Sequence, residues 1–290
     1  MDTAPACLTD VASAVARHGA FARRYLAAMW RGDALGDAVA EEAEQVGRGR
    51  VMGWVGDGCA RPGAPLPSGV PEATRALVAE AVGASASLDL AWIDRHTRFG
   101  TAPVETGGDS TDLDSYTGTA VGRAVVMSRG DQGGPVGTTA WLAALDRPGA
   151  LAPGAPGFTL TVRARLVHAF LRRDLLRRDD WDAPTWGTPF CQADLAFTTA
   201  EFGPLRLRHL AETPSEVEAL HQRWRHVGRL LGVDDTLLPR DDAEVARLAD
   251  LHRSTHRTAV TPPRATDPPP RAAAKLSSAT GRRAGPRSSG

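Results

Sequence analysis

Lysine is almost missing from this chain of 290 residues; the single one is Lys275, so the basic side chains are otherwise arginines. The formal net charge is +0, which argues against a general binder of polyanions such as nucleic acid. Cysteine is scarce too. Cys7, Cys59 and Cys191 are odd in number and widely spaced, so neither a disulfide framework nor a thiolate zinc site is expected. No apolar run approaches the length of a membrane span. The first thirty or so residues are interrupted by Asp2, Asp10, Arg17, His18, Arg23 and Arg24, with neither a secretory apolar core nor a twin-arginine signal, and a cytoplasmic protein is expected. Glycine-rich phosphate loops, zinc-protease helices and nucleophile elbows are also missing. No stretch alternates with the two-residue period of a strand, and no internal repeat is visible.

What is present reads as helix throughout. Thr9 is placed to cap a first helix reaching Trp30, with Val11, Val15, Phe21, Tyr25 and Met29 as its apolar stripe. Residues 33–46 form a second, ended by Gly47. Gly53, Gly56, Gly58 and Gly63, with prolines at 62, 65 and 67, read as a loop. Pro71 suits the first position of a helix over 73–82, and Leu88 to Phe99 reads as another. Residues 100–115 are expected to be a surface loop, followed by shorter helices over 116–129 and 137–146 and a punctuated loop from Pro148 to Gly157. Thr188-Pro189 reads as the start of a helix to 202. Thr213-Pro214-Ser215-Glu216 is a capping box, and Val217, Leu220, Trp224, Val227 and Leu231 follow at helical spacing before Gly232. Asp241 with Glu244 opens a last helix to about His256. The Pro-, Arg- and Ser-rich remainder has too little apolar content to fold alone. The expected architecture is all-α: one helical domain over 1–257 and a disordered tail over 258–290.

The most informative stretch is 161–178, TVRARLVHAFLRRDLLRR. As a helix it puts Arg165, His168 and Arg172 on one face, with Val162, Leu166, Ala169, Phe170 and Leu176 largely on the other. From the residues alone two readings stay open. One is a solvated face whose arginines pair with Asp174, Asp179 and Asp180. The other is a face for a buried dianionic ligand containing a metal: an axial imidazole, two guanidinium forks for carboxylates, and Ala169 leaving room for a flat ring.

The Arg-x-x-His-x-x-x-Arg run within VRARLVHAFLRR resembles the signature helix of the rubber oxygenase (latex clearing protein) and MpaB oxygenase family. WDAPTWGTPFCQADLAFTTAEF and HQRWRHVGRLLGVDDTLLP resemble the family in the same order. Weaker similarity reaches back to WRGDALGD at 30–37, so the likeness covers roughly 28–252. It implies a haem b (iron) oxygenase or oxidase that uses O2 on a small apolar organic substrate, with His168 as the axial metal ligand and Arg165 and Arg172 securing the propionates. Rubber-cleaving members carry a distal arginine and lysine just before a threonine, and a glutamate upstream. Here Gly133–Trp141 offers Thr138 and Thr139 without either base, and no glutamate occurs between Glu105 and Glu201. Thr139 is thus the one distal candidate carried over, no catalytic residue is assigned, and polyisoprene cleavage is not expected. The tail replaces helices usual in the family, as expected of a shortened member or of a disrupted reading frame with a non-native tail; the functional alternative is a non-catalytic protein of the same fold.

Other motifs carry less. Glu218-Ala219-Leu220-His221 has the spacing of half a carboxylate di-iron site, but no second copy exists, so exposed helix residues are expected. His226 does not complete such a site. His96, His209, His252 and His256 look solitary. The tail arginines Arg264, Arg271, Arg282, Arg283 and Arg287 lack interleaved aromatics, so no nucleic-acid contact is expected.

Overall fold

Helix follows helix in this computed structural model, which describes residues 4–97, 124 and 134–256. The expected loop at 100–115, most of the helix at 116–129 and the tail lie outside the described residues. In chain order the helices are α1 (Val11–His18), α2 (Ala20–Ala28), α3 (Ala34–Val46), α4 (Arg48–Ala60), α5 (Glu72–Ala86), α6 (Leu90–His96), α7 (Gly134–Leu145), α8 (Pro156–Leu176), α9 (Gln192–Ala200), α10 (Pro214–Leu230) and α11 (Asp242–Thr255). Short turns punctuate them: Ala183–Trp186, a π-helical turn Glu201–Leu205, and a 3-10 turn Arg208–Leu210. There is no strand among the described residues, only one isolated bridge between Leu8 and His256. The all-α expectation agrees with this.

The chain's punctuation differs from the sequence reading in places where packing overrides local preference. The predicted first helix is two, broken at Gly19, whose φ of 58° suits glycine. Asp10 rather than Thr9 precedes it. The glycines at 53, 56 and 58 do not make a loop; they lie within α4. A Cβ on Gly58 would come within 2.8 Å of Val78, and one on Gly56 would touch the Arg163 guanidinium. Close approach of α5 and α8 is therefore the reason a helix tolerates poor helix formers at 56 and 58; Gly53 has open space around it. α8 begins at Pro156, inside the predicted loop, with proline in its first turn. α9 starts after Cys191, not at Thr188-Pro189. Pro71 stands one residue before α5, and its missing cap is supplied from elsewhere. The Glu42 carboxylate accepts from the Ala73 and Thr74 amides at 2.7 and 2.9 Å.

Two predicted ends are as expected. The capping box at Thr213 and Glu216 is complete, and Gly232, with φ 80°, closes α10. Gly232 N donates to Arg229 O and Val233 N to Gly228 O, the double bond pattern of a Schellman end. Asp241 caps α11 through the Glu244 amide.

α8 is the axis. It packs against α3, α4, α7 and α10, while α10 also meets α5, α6 and α9. Phe158, Val162, Leu166 and Ala169 of α8 are wholly buried. Each of the three larger ones contributes roughly 1.5–3 kcal/mol of apolar burial. Leu176, expected in the core, is 51% exposed. The N-terminal segment closes against α11 through Thr9 N to Thr255 O.

Candidate functional site on helix α8

Both arginines of the sequence motif are buried. Arg165 is 3% and Arg172 2% exposed, so a solvated face is excluded. Their partners are not Asp174, Asp179 or Asp180. Arg165 Nε and Nη2 donate to the two oxygens of Asp33 at 2.5 and 2.8 Å, and Nη1 donates to Glu80 at 2.8 Å. Burial works against the Arg165 charge, yet Asp33 and Glu80 hold its pKa above the ordinary arginine value. Arg172 Nε donates to Asp37 at 2.8 Å and Nη1 to the carbonyl of Phe190 at 2.7 Å. Burial raises the Asp37 carboxyl above its usual range, and Arg172 opposes that shift.

Three glycines make room for these pairs. A Cβ on Gly32 would fall 2.5 Å from Asp37 and 2.6 Å from Arg172 Nε. One on Gly36 would fall 2.3 Å from Asp33, and one on Gly232 would fall 2.5 Å from Arg165 Nε. The Gly-Asp pairs at 32–33 and 36–37 are therefore the counterpart of the two arginines. Sequence reasoning noticed that segment only as a weak resemblance. Its signal was there: a Gly-Asp pair repeated one helical turn apart, in a chain with two arginines two turns apart. Ala169 sits beneath the same contact, 3.4 Å from the position a Gly36 Cβ would take, so it admits α3 rather than a ring.

His168 belongs to the adjoining side of the helix. Its ring lies parallel to Phe190, with centroids 4.8 Å apart and planes at 14°. Nδ1 is buried and has no hydrogen-bond partner. Burial, then the neighbouring Arg172 charge, pushes its pKa down to about 4, so the imidazole is neutral near pH 7 and keeps a nitrogen lone pair. Phe190 itself has φ 49°, an uncommon left-handed conformation for an aromatic residue. The bond from Arg172 to its carbonyl fixes that conformation. Arg172 thus sets the surface against which His168 lies. Beside it Leu175, Trp181 and Phe190 form a small buried cluster with Ala124, flanked by Leu171 and Trp186.

Thr139 falls within α7, and its side chain lies outside the described residues; Thr138 is exposed. Two residues on, Trp141 Nε1 donates to Thr161 Oγ1 of α8 at 2.9 Å.

As a haem site this arrangement fits in one half. His168 offers a neutral imidazole with a buried unpartnered nitrogen, which suits an axial ligand. The guanidiniums fit less well as a propionate clamp. Every nitrogen of Arg165 already meets a protein carboxylate, whereas buried Arg172 Nη2 has no partner. Among the described residues no group of three or more His, Cys, Asp or Glu side chains is placed to hold a bare metal ion.

The other buried histidines are engaged elsewhere. His221 Nε2 meets Asp242 at 2.9 Å, so the Glu218–His221 pair is no ligand set. His226 Nε2 lies 3.0 Å from Ser85 Oγ. His252 and His256 are not solitary: their rings stack at 3.9 Å, and His252 also stacks on Phe197. An i, i+4 spacing near the end of α11 brings them together.

No curated protein and no solved structure matches the chain. A family does. Residues 137–286 match the family described as the ER-bound oxygenase mpaB/B'/rubber oxygenase catalytic domain. The match runs beyond residue 252, where the sequence reading ended the resemblance, and starts after the WRGDALGD segment. The Asp33–Arg165 and Asp37–Arg172 pairs tie that segment to the matched part. Since the match covers more than half of its length, the chain belongs to the mpaB and rubber oxygenase catalytic-domain family.

Proposed function

We propose that this protein is a haem b-dependent oxygenase or oxidase that uses O2 on a small apolar organic substrate other than polyisoprene. The observation that carries the reading is His168, a neutral imidazole with a buried unpartnered nitrogen, on the helix that bears the family's motif. Iron held by that imidazole would supply the redox chemistry. The chain's own residues supply position and shelter. Phe190 covers one face of the imidazole, and Arg172, by holding the Phe190 carbonyl, keeps that cover in place. Arg172 Nη2 has a hydrogen bond to give to a carboxylate without leaving Asp37. Arg165 would have to give up Asp33 or Glu80 to do the same, so in this reading it anchors α8 to α3 rather than a propionate. Thr139 remains the distal candidate.

The absorption spectrum of the purified protein tests this. A coloured protein whose spectrum changes with dithionite and carbon monoxide is expected. His168→Ala should abolish or strongly alter it while leaving the far-ultraviolet circular dichroism unchanged. A colourless protein that takes up no added haemin would favour the other reading, a non-catalytic member of the fold.

A further inference from the structure

A second polar site lies away from α8, where the π-helical turn Glu201–Leu205 meets α10. A small cavity of about 10 Å³ is lined by Thr199, Ala200, Pro204, His221, Trp224, Arg225, Leu238 and Pro239, of which three carry the argument. His221 Nδ1, Trp224 Nε1 and Arg225 Nε are all buried and all lack a hydrogen-bond partner. They sit at i, i+3 and i+4 on α10, so one face of the helix presents all three to the same space. His221 and Trp224 are 4% and 2% exposed. Three buried polar atoms left unsatisfied together would be strongly destabilising.

The geometry points to a structural water held in this cavity. The size agrees, since a single water needs roughly 10–15 Å³ by this measure and two to four polar partners. The hydrogen-bond polarity agrees as well. The indole Nε1–H and guanidinium Nε–H are donors and take the two lone pairs of a water. Asp242 accepts from His221 Nε2–H, which leaves Nδ1 as an acceptor for one of the water's protons. Such a water would satisfy all three orphaned nitrogens at once. It would fill the space between Pro204 of the π-helical turn, bent at Gly203 with φ −103° and ψ −112°, and the face of α10 that carries Trp224. A Cβ on Gly203 would lie 2.3 Å from Trp224 Cγ, so turn and indole are already in close contact there. A metal cation is excluded by the two N–H donors, and a halide is opposed by the His221 lone pair.

A high-resolution crystal structure of the full chain, with and without a bromide soak, tests the assignment. Expected is one peak within about 2.7–3.2 Å of all three nitrogens and no anomalous signal at that position after the soak. A bromide peak there, or indole and guanidinium groups turned onto protein acceptors with no peak between them, would overturn it. In solution, Arg225→Lys keeps a cation beside Asp235 but removes Nε–H, and Trp224→Phe removes the indole donor. Each should lower the folded-to-unfolded ratio by up to about tenfold. The double variant should lose less than the product of the two, because both donors act through one water. Strict additivity in that cycle would count against a shared bridging molecule.

Discussion

Two neighbouring faces of α8 treat charge in opposite ways. On one, Arg165 and Arg172 keep full charges inside the protein because Asp33, Glu80 and Asp37 meet them with hydrogen-bond geometry. On the other, His168 gives up its charge, with a pKa of about 4, and leaves a buried nitrogen without a partner. The first face is satisfied by the protein itself except at Arg172 Nη2. The second is not, and an atom that folding leaves unsatisfied is where a ligand gains most. The contrast separates two roles that the Arg-x-x-His-x-x-x-Arg motif merges: fixing the helix and offering a donor.

The largest effect should come from breaking the satisfied face. Asp33→Ala would strand Arg165 at 3% exposure with only Glu80, itself 53% exposed, to answer its charge. Removing one partner of such a buried pair costs about 3–5 kcal/mol. Asp37→Ala should cost less, roughly 1–3 kcal/mol, because Asp37 is 39% exposed and Arg172 keeps the Phe190 carbonyl. Urea titration of both variants ranks them, and equal losses would mean that Glu80 and Phe190 O matter as little as each other.

How much of this was readable beforehand follows the same division. The histidine stood out because imidazole with two arginines at helical spacing is a chemical pattern, and such patterns are local. The helices with capping side chains, α10 and α11, were readable for the same reason: Thr213, Glu216, Asp241 and Glu244 act within one turn. The partners of the arginines were not, because Asp33 and Asp37 lie more than a hundred residues away and only folding brings them near. The helical state of α4 was not legible because Gly56 and Gly58 answer to neighbours across the core rather than to their own turn, while Gly53 has open space around it. The stacking of His252 on His256 needed the end of α11 to stay helical, which the spacing allowed but did not require.

Buried neutral histidines elsewhere in the fold predict a matching acid sensitivity. Burial pushes His226 down to about 4, and His252 and His256 are also lowered by burial. A histidine whose folded pKa lies below its unfolded value of about 6.5 binds its proton more readily in the unfolded chain. Stability is therefore complete above about pH 6.5 and falls as the pH drops towards 4. The midpoint for urea unfolding of the haem-free protein should fall between pH 7 and pH 5. His226→Gln, which keeps a side chain able to bond Ser85, should flatten part of that slope. A slope unchanged by the substitution would assign the acid response to the His252–His256 pair or to His168.

The smallest expected effect is the sharpest test of the contrast, because it touches the ion-paired face without disturbing its core. Glu80→Gln removes one of the two anions that answer Arg165 but leaves an amide oxygen able to accept from Nη1. Glu80 is half exposed, so water already screens its charge, and the loss should stay below about 1 kcal/mol. If instead the variant is as unstable as Asp33→Ala, the charge of Arg165 depends on both carboxylates together, and Asp33 alone does not hold it. Then the helix is fixed by a three-member network, and the distinction drawn between its buried and exposed halves fails.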